Sequence, residues 1–138
     1  MLSPLSVPLE PAGIPKDWIL SGTPKSRSKS LVRSRDWTSN LIAWDCTAGR
    51  FKWHYAKDET IMVVSGEAIM IDEQGRERRL SAGDIGFFPA GTSCTWFVPD
   101  HIRKVAVVKE SLWRPLGLAV KLWNKFLRTA RLTANSPL

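Results

Sequence analysis

The side chains best suited to chemistry lie in two short stretches of the 138-residue chain. The first stretch contains Lys52, His54 and Glu59, and the second contains Cys94 and Trp96. Imidazole, carboxylate and thiolate groups bind divalent transition metals, whereas a lysine beside a glutamate can neutralise it without a metal. The two stretches therefore indicate a polar site, built either around a metal ion or around an ion pair.

The spacing of these residues predicts that they line one cavity, because side chains alternate between the two faces of a β-strand. Lys52 and His54 are two residues apart and share a face, as do Cys94 and Trp96. The aromatic residues of the first stretch fall on the opposite, outer face: Phe51, Trp53 and Tyr55. An exposed aromatic stripe needs cover, from the N-terminal arm or from a second copy of the chain. We therefore expect a homodimer.

Seven short apolar or aromatic runs predict the strands that hold this site. They occupy residues 39–46, 51–55, 61–64, 68–71, 85–88, 94–98 and 104–108. Turn-forming residues separate them, as in Ala82-Gly83-Asp84 and Pro89-Ala90-Gly91. Short strands at this spacing are typical of an all-β sandwich or barrel.

The segments on either side of this barrel have a different character. Four prolines within residues 1–16 exclude a helix and favour an extended arm, followed by a short strand at 17–20 and a surface loop at 21–30. In residues 111–138, apolar side chains recur at steps of three and four, which predicts an amphipathic helix of about four turns starting near Pro115. The chain thus divides into an arm (1–38), a barrel (39–110) and a basic helical tail (111–138).

The formal net charge of +7 comes from the flanking segments. Residues 24–35 and 111–138 each contain five basic and no acidic residues. Such segments suit an acidic surface or a solvated tail as well as phosphates, and no common nucleic-acid-binding motif occurs, so we expect no nucleic-acid partner. Without a leader, a membrane-length apolar run or a C-x-x-C pattern, we expect a cytoplasmic protein with reduced thiols.

Two ordered motifs carry a resemblance to a known family. Their residues are Gly49, Lys52, His54, Glu59 and Gly66 in the first, and Gly83, Pro89, Gly91 and Cys94 in the second. This order resembles the paired motifs of the cupin superfamily, Gly…His-x-His…Glu…Gly and Gly…Pro-x-Gly-x-x-His, over residues 39–110. The surrounding sequence is most similar to the family classed with the cupin domains of (S)-ureidoglycine aminohydrolase. The resemblance implies a double-stranded β-helix, the cupin jelly-roll barrel, with an inward-facing metal site.

The resemblance also implies a ligand set. Lys52 and His54 stand at the two histidines of the first motif, Glu59 at its glutamate, and Cys94 at the last histidine. His54, Glu59 and Cys94 would then bind one Zn²⁺, Mn²⁺ or Fe²⁺ with a coordination position open, although Lys52 would repel the metal. The alternative is a metal-free pocket in which Lys52 pairs with Glu59.

Three functions remain in competition. The first is a metal-dependent enzyme acting on a small polar nitrogen-containing or carboxylate substrate, since the resemblance implies hydrolysis of a carbon–nitrogen bond. The second is a non-catalytic module that holds a small carboxylate through Lys52. The third is a peripheral protein whose basic helix contacts an anionic membrane or an acidic partner, against the commoner arrangement in which the helix packs on its own barrel. We favour a small-molecule cupin whose activity the sequence leaves open.

Overall fold

The computed structural model describes residues 3–110 and 114–129 of the chain. The described residues form eight strands, one short 3-10 helix (Lys16–Trp18) and one α-helix. The strands are β1 (Glu10–Ala12), β2 (Ile19–Ser21), β3 (Ser26–Arg33), β4 (Ser39–His54), β5 (Asp58–Ile71), β6 (Glu77–Ser81), β7 (Ile85–Phe88) and β8 (Ser93–Lys109), and the helix is α1 (Arg114–Thr129).

All strand pairs are antiparallel and belong to one sheet. The order is β1-β3-β4-β8-β5-β6, while β2 also pairs with β4 and β7 also pairs with β5. The long strands β4, β5 and β8 form the centre and carry the shorter strands on either side. The predicted all-β jelly roll with a C-terminal helix is thus confirmed.

Each long strand joins two runs that the sequence suggested were separate strands. β4 joins residues 39–46 to residues 51–54 of the next run, and its register against β8 shifts between Thr47 and Gly49. β5 joins 61–64 to 68–71 through similar shifts near Ser65 and Gly66. The residues that suggested turns therefore form irregularities inside continuous strands, where a bulge bends the strand without ending its pairing.

Two strands were missed because their sequences are too polar to show an apolar run. The expected surface loop 21–30 instead contributes residues 26–30 to β3, which pairs with β4. Residues 77–81, Glu-Arg-Arg-Leu-Ser, form β6 at the edge of the sheet against β5. Edge strands often carry charged residues, because charge discourages pairing with another chain.

The core shows that the predicted orientation of the aromatic stripe was wrong. Phe51 lies opposite Trp96, and Trp53 lies opposite Cys94, in the β4–β8 register. Directly opposed residues share a face, and Phe51 and Trp96 are fully buried, so Trp53 and Tyr55 also point inward. The aromatic side chains bury far more apolar surface than a lysine or histidine, and this decides which face of β4 is internal.

This correction removes the argument for a homodimer. The stripe that was expected to need a second copy is covered by the barrel itself, where Phe51 packs against Trp44, Trp53 and Trp96. Dimerisation itself stays a prediction.

The C-terminal helix α1 starts at Arg114, next to Pro115, as the sequence predicted. Of the predicted helical tail 111–138, residues 111–113 and 130–138 lie outside the described residues. The expected packing of its apolar face on the barrel is not seen, since Trp123 and Phe126 are 61% and 58% exposed. Among the described residues, no helix combines the length and the apolar sequence needed to cross a bilayer.

Gly66 provides a test of the fold at an irregular point of β5. Its φ is +72°, and a Cβ at this position would overlap the backbone carbonyl of His101. Gly75 has a similar φ of +78° with no atom within 4 Å of the corresponding Cβ, so Gly75→Ala is a matched control. We expect Gly75→Ala to cost about 1–2 kcal/mol, the usual penalty of the left-handed region. Gly66→Ala should cost clearly more in urea unfolding, and equal losses would contradict the close approach of β5 and β8.

Candidate functional site

The barrel contains a cavity of about 320 Å³ bounded by β3, β4, β5 and β8. Its walls are mainly aromatic and aliphatic: Ile42, Trp44, Trp53, Tyr55, Ala106 and Val108. Its polar side chains include Ser28, Glu59 and Lys104. A cavity of this size with apolar walls and a few polar groups is the usual form of a small-molecule site.

The dominant polar feature is a buried ion pair between Lys104 and Glu59. Lys104 Nζ donates to Glu59 Oε1 at 2.6 Å, and the two side chains are only 6% and 11% exposed. Alternation places both groups inside: Lys104 lies between the buried Ile102 and Ala106 on β8, and Glu59 precedes the buried Ile61 on β5. Two charges buried in an apolar wall are tolerated only as a pair.

Aromatic rings complete the surroundings of the ammonium group. Lys104 Nζ lies 4.9 Å from the ring centroid of Trp44 and 4.6 Å from that of Trp96, within the range of cation–π attraction. Trp96 Nε1 donates to Tyr55 Oη at 3.0 Å, and the Tyr55 ring stacks on Phe88. The ion pair is therefore held among side chains that are themselves fixed by contacts.

Burial sets the protonation chemistry of this region. Burial lowers the pKa of Lys104 from its ordinary value, and the adjacent Glu59 carboxylate opposes that change. Burial also raises the pKa of Tyr55, so the phenol keeps its proton. Of the two Glu59 oxygens, no donor among the described residues is assigned to Oε2. Glu59 itself lines the cavity, so this oxygen can serve as an acceptor for a ligand there.

The structure brings together only part of the predicted site. Glu59 and Trp96 both contact Lys104, but Lys52 and His54 are exposed on the outer face of β4. His54 borders the cavity, and its ring packs edge-on against Trp18 at 5.0 Å. Lys52 was expected to point inward with Glu59, but it is exposed because its neighbours Phe51 and Trp53 take the inner face. His54 is exposed as well, yet it lines the cavity together with Glu59.

Cys94 lies inside but at a different place. It lines a second cavity of about 330 Å³, which it shares with Met70, Asp72 and Phe88. Its thiol donates to the carbonyl oxygen of Ile71 at 3.3 Å. This environment suits a small buried side chain better than a metal ligand.

The residues present do not fit the metal site that the cupin resemblance implies. An ammonium group stands against the Glu59 carboxylate, His54 is on the outer face, and burial raises the pKa of the Cys94 thiol to about 11. Across residues 3–110 and 114–129, no group of three His, Cys, Asp or Glu side chains is placed to hold a metal ion. Zn²⁺, Mn²⁺ or Fe²⁺ binding stays a prediction.

Sequence reasoning predicted an ion pair but chose the wrong lysine. Lys104 lies in a run where Ile102, Lys104, Ala106 and Val108 alternate with the residues between them. A single charge on the apolar face of a strand is the signal that could have identified it, because an unpaired buried charge is so costly. The partner of such a lysine must be a carboxylate on the apolar face of a neighbouring strand, and Glu59 is one.

The antiparallel jelly roll with an internal cavity defines the class of this protein: it is a cupin. The sequence model of the EutQ-like cupin domain matches residues 33–106, more than half of the chain, and the protein belongs to that family. Comparison with curated proteins finds no match.

Solved structures show the same fold. A protein of unknown function of the DUF861 family from Pseudomonas syringae has a TM-score of 0.71 at 24% identity, covering 78% of this chain and 46% of the other. A putative ethanolamine utilization protein Q from Salmonella typhimurium has a TM-score of 0.56 at 26% identity, covering 64% and 72%. The EutQ protein of Clostridium difficile has a TM-score of 0.57 at 24% identity, covering 66% of each chain. This chain thus matches less than half of the Pseudomonas protein.

Because Lys104 rather than Lys52 pairs with Glu59, substitutions of Lys104 and of Lys52 should affect the stability of the protein differently. Lys104→Met leaves Glu59 as an uncompensated buried carboxylate and should lower the free energy of unfolding by roughly 3–5 kcal/mol. Lys52→Met is the matched control and should change it by no more than about 0.5 kcal/mol, because Lys52 is on the surface. Urea unfolding at neutral pH measures both. Similar losses in the two variants would contradict the assignment of Lys104 as the partner of Glu59.

Both cysteines should be unreactive in the folded protein. Burial, the largest cause in each case, raises the pKa of Cys94 to about 11 and that of Cys46 to about 12. At pH 8, a thiol with a pKa near 11 is thiolate in roughly one molecule in a thousand, and the thiolate is the reactive form. A disulfide reagent that reports free thiols should label neither residue in buffer and both in urea. Rapid labelling of Cys94 in buffer would instead indicate a thiolate.

Proposed function

We propose that the protein binds a small, mostly apolar molecule in the 320 Å³ cavity, through one neutral hydrogen-bond-donating group and without a metal. The ion pair between Glu59 and Lys104 is the observation that carries this proposal. It provides a fixed polar point in a cavity whose walls are otherwise largely aromatic and aliphatic.

The charge state of the pair selects the ligand's polar group. An anion would gain from Lys104 but would be repelled by Glu59, and a cation would meet the reverse situation. A neutral group avoids the cost of bringing a third charge into a buried environment. Because Glu59 lines the cavity and its Oε2 accepts no hydrogen bond from the described residues, the best match is a donor such as an amide N–H or a hydroxyl.

The walls supply affinity through burial of apolar surface. Trp44 and Trp53 present ring surface to the cavity, and Ile42, Ala106 and Val108 add aliphatic surface. Removing apolar surface from water stabilises a complex by about 25 cal/mol per Å² before the costs of association are counted. A ligand with an aromatic or branched aliphatic body and one polar end therefore fits this cavity.

The finer readings from the sequence receive less support. A ureidoglycine aminohydrolase-like reaction implies a metal that activates the reacting group, whereas Lys104 stands at the glutamate expected to bind it. A carboxylate held by Lys52 lacks support because that side chain is exposed on the outer face. Membership of the cupin fold assigns no reaction, since the fold carries many unrelated functions.

Three probes of similar size test the proposal: benzamide, benzoate and benzylamine. They present a neutral, an anionic and a cationic group on the same ring at neutral pH. We expect benzamide to change the tryptophan fluorescence in a saturable way, because Trp44 and Trp53 line the cavity. The two ions should bind at least tenfold more weakly, a difference of about 1.4 kcal/mol. Equal or tighter binding of either ion would overturn the preference for a neutral group.

A pair of variants locates the bound probe. Ala106 is buried and lines the cavity, so Ala106→Leu fills space that the ligand needs. Val107 is 44% exposed, so Val107→Leu is the matched control on the opposite face of β8. Benzamide binding should be lost in the first variant and retained in the second. If both variants bind alike, the ligand lies elsewhere and the proposed site fails.

A further inference from the structure

The helix α1 has two chemically distinct faces. At 100° per residue, Leu116, Val120, Trp123, Phe126 and Leu127 cluster on one side, whereas Leu118 and Leu122 extend the apolar surface toward the other. The opposite side carries the basic residues Lys121, Lys125 and Arg128. Neither α1 nor any other part of residues 111–138 contains an acidic residue.

The apolar face of α1 is exposed, with no cover from residues 3–110. Leu116, Trp123 and Phe126 are 54%, 61% and 58% exposed, and the rings of Trp123 and Phe126 lie 5.8 Å apart on the same surface. A helix of 16 residues is marginal in water when nothing packs against it. The face therefore needs a surface to lie on, and the charge of the other face indicates which one.

The charge pattern distinguishes a lipid surface from a protein groove. A helix that lies in a membrane interface combines Trp, Phe or Leu on one face with Lys or Arg on the other, so that both faces are used together. The apolar side chains enter the boundary of the acyl region, while the basic side chains remain at the level of the phosphates. In α1 the described charges are all positive, which is complementary to anionic headgroups.

We propose that α1 binds the barrel to the surface of an anionic membrane, with Trp123 and Phe126 inserted and Lys121, Lys125 and Arg128 at the headgroups. At 1.5 Å per residue, its 16 residues span about 24 Å, less than the hydrocarbon core, and its charged face excludes a transmembrane orientation. The helix lies parallel to the bilayer. This localises the cavity and its ligand at the membrane surface, a role independent of what the cavity binds.

Vesicle sedimentation with the full chain tests the proposal. The vesicles contain equal parts of phosphatidylcholine and phosphatidylglycerol, or phosphatidylcholine alone. We expect sedimentation only with the anionic vesicles. It should weaken as ionic strength rises from about 0.01 M to 0.15 M, where the screening length falls from about 30 to 8 Å. Absence of sedimentation with anionic vesicles at low salt overturns the proposal.

Paired variants separate the helix from the overall charge of the protein. Lys121→Gln with Lys125→Gln removes two charges from α1 and should weaken binding roughly thirtyfold. Lys29→Gln with Arg78→Gln removes two exposed charges from the barrel and is the matched control, which should bind as the unmodified chain does. Equal weakening by both pairs would show general electrostatic adsorption and overturn a specific role for α1.

The apolar face has its own variant, Trp123→Ser with Phe126→Ser. It should abolish sedimentation while the barrel keeps its urea unfolding midpoint, because these side chains are exposed and not part of the barrel core. Light scattering on the same proteins tests the alternative that a second copy of the chain covers α1. A dimer that this variant dissociates, together with no vesicle binding by the unmodified chain, would mean that a second copy covers α1 and that the membrane proposal is wrong.

Discussion

A buried ammonium group and a buried carboxylate, 2.6 Å apart, impose a constraint on the whole barrel. Each charge is costly inside an apolar wall, and each is tolerated because the other is present. Lys104 is on β8 and Glu59 on β5, so the pair forms only when these two strands keep their register. A slip of one residue would turn Lys104 outward and leave Glu59 alone among apolar side chains. The pair thus favours the correct register of β5 and β8 over shifted registers.

The aromatic cluster depends on the same constraint. Trp44 and Trp96 both contact the ammonium of Lys104, and both also pack against Phe51. Their positions join β4 to β8 through the face that the ion pair occupies. Trp96 in turn donates to Tyr55, whose ring stacks on Phe88 of β7. The cavity walls are therefore part of the core rather than a lining added to it, which gives a bound ligand a preformed surface.

The sequence predicted the class of fold and the approximate positions of the core strands, because apolar runs and turn residues are local signals. Residues 85–88 form β7 as expected. It did not predict β3 and β6, whose polar residues suit an edge or a partly exposed strand. It also did not predict the continuity of β4 through Thr47 and Gly49, since a bulge and a turn use the same residue types.

The candidate site was harder, because it depends on which face of each strand is internal. The alternation of Lys52 and His54 with their aromatic neighbours was correct, but polar residues of chemical interest were given the inner face in place of the aromatic residues. Lys104 was overlooked because it lies outside both motifs, and its pairing with Glu59 joins residues 45 positions apart. An alternating pattern indicates only which residues of a strand share a face. The apolar surface area on each of the two faces decides which face is buried.

Lys104 also changes what the site depends on. The cupin resemblance places a metal at the glutamate that Lys104 neutralises, and a metal must be acquired from the surroundings, whereas a lysine is synthesised with the chain. Each folded copy therefore carries a positive charge beside Glu59 as part of its own chain, at fixed stoichiometry. The same arrangement removes a freedom that a metal offers. An ammonium group has no vacant coordination position and cannot be exchanged for an ion of different reactivity, so variation in this site over time must come from substitution of the residues around it.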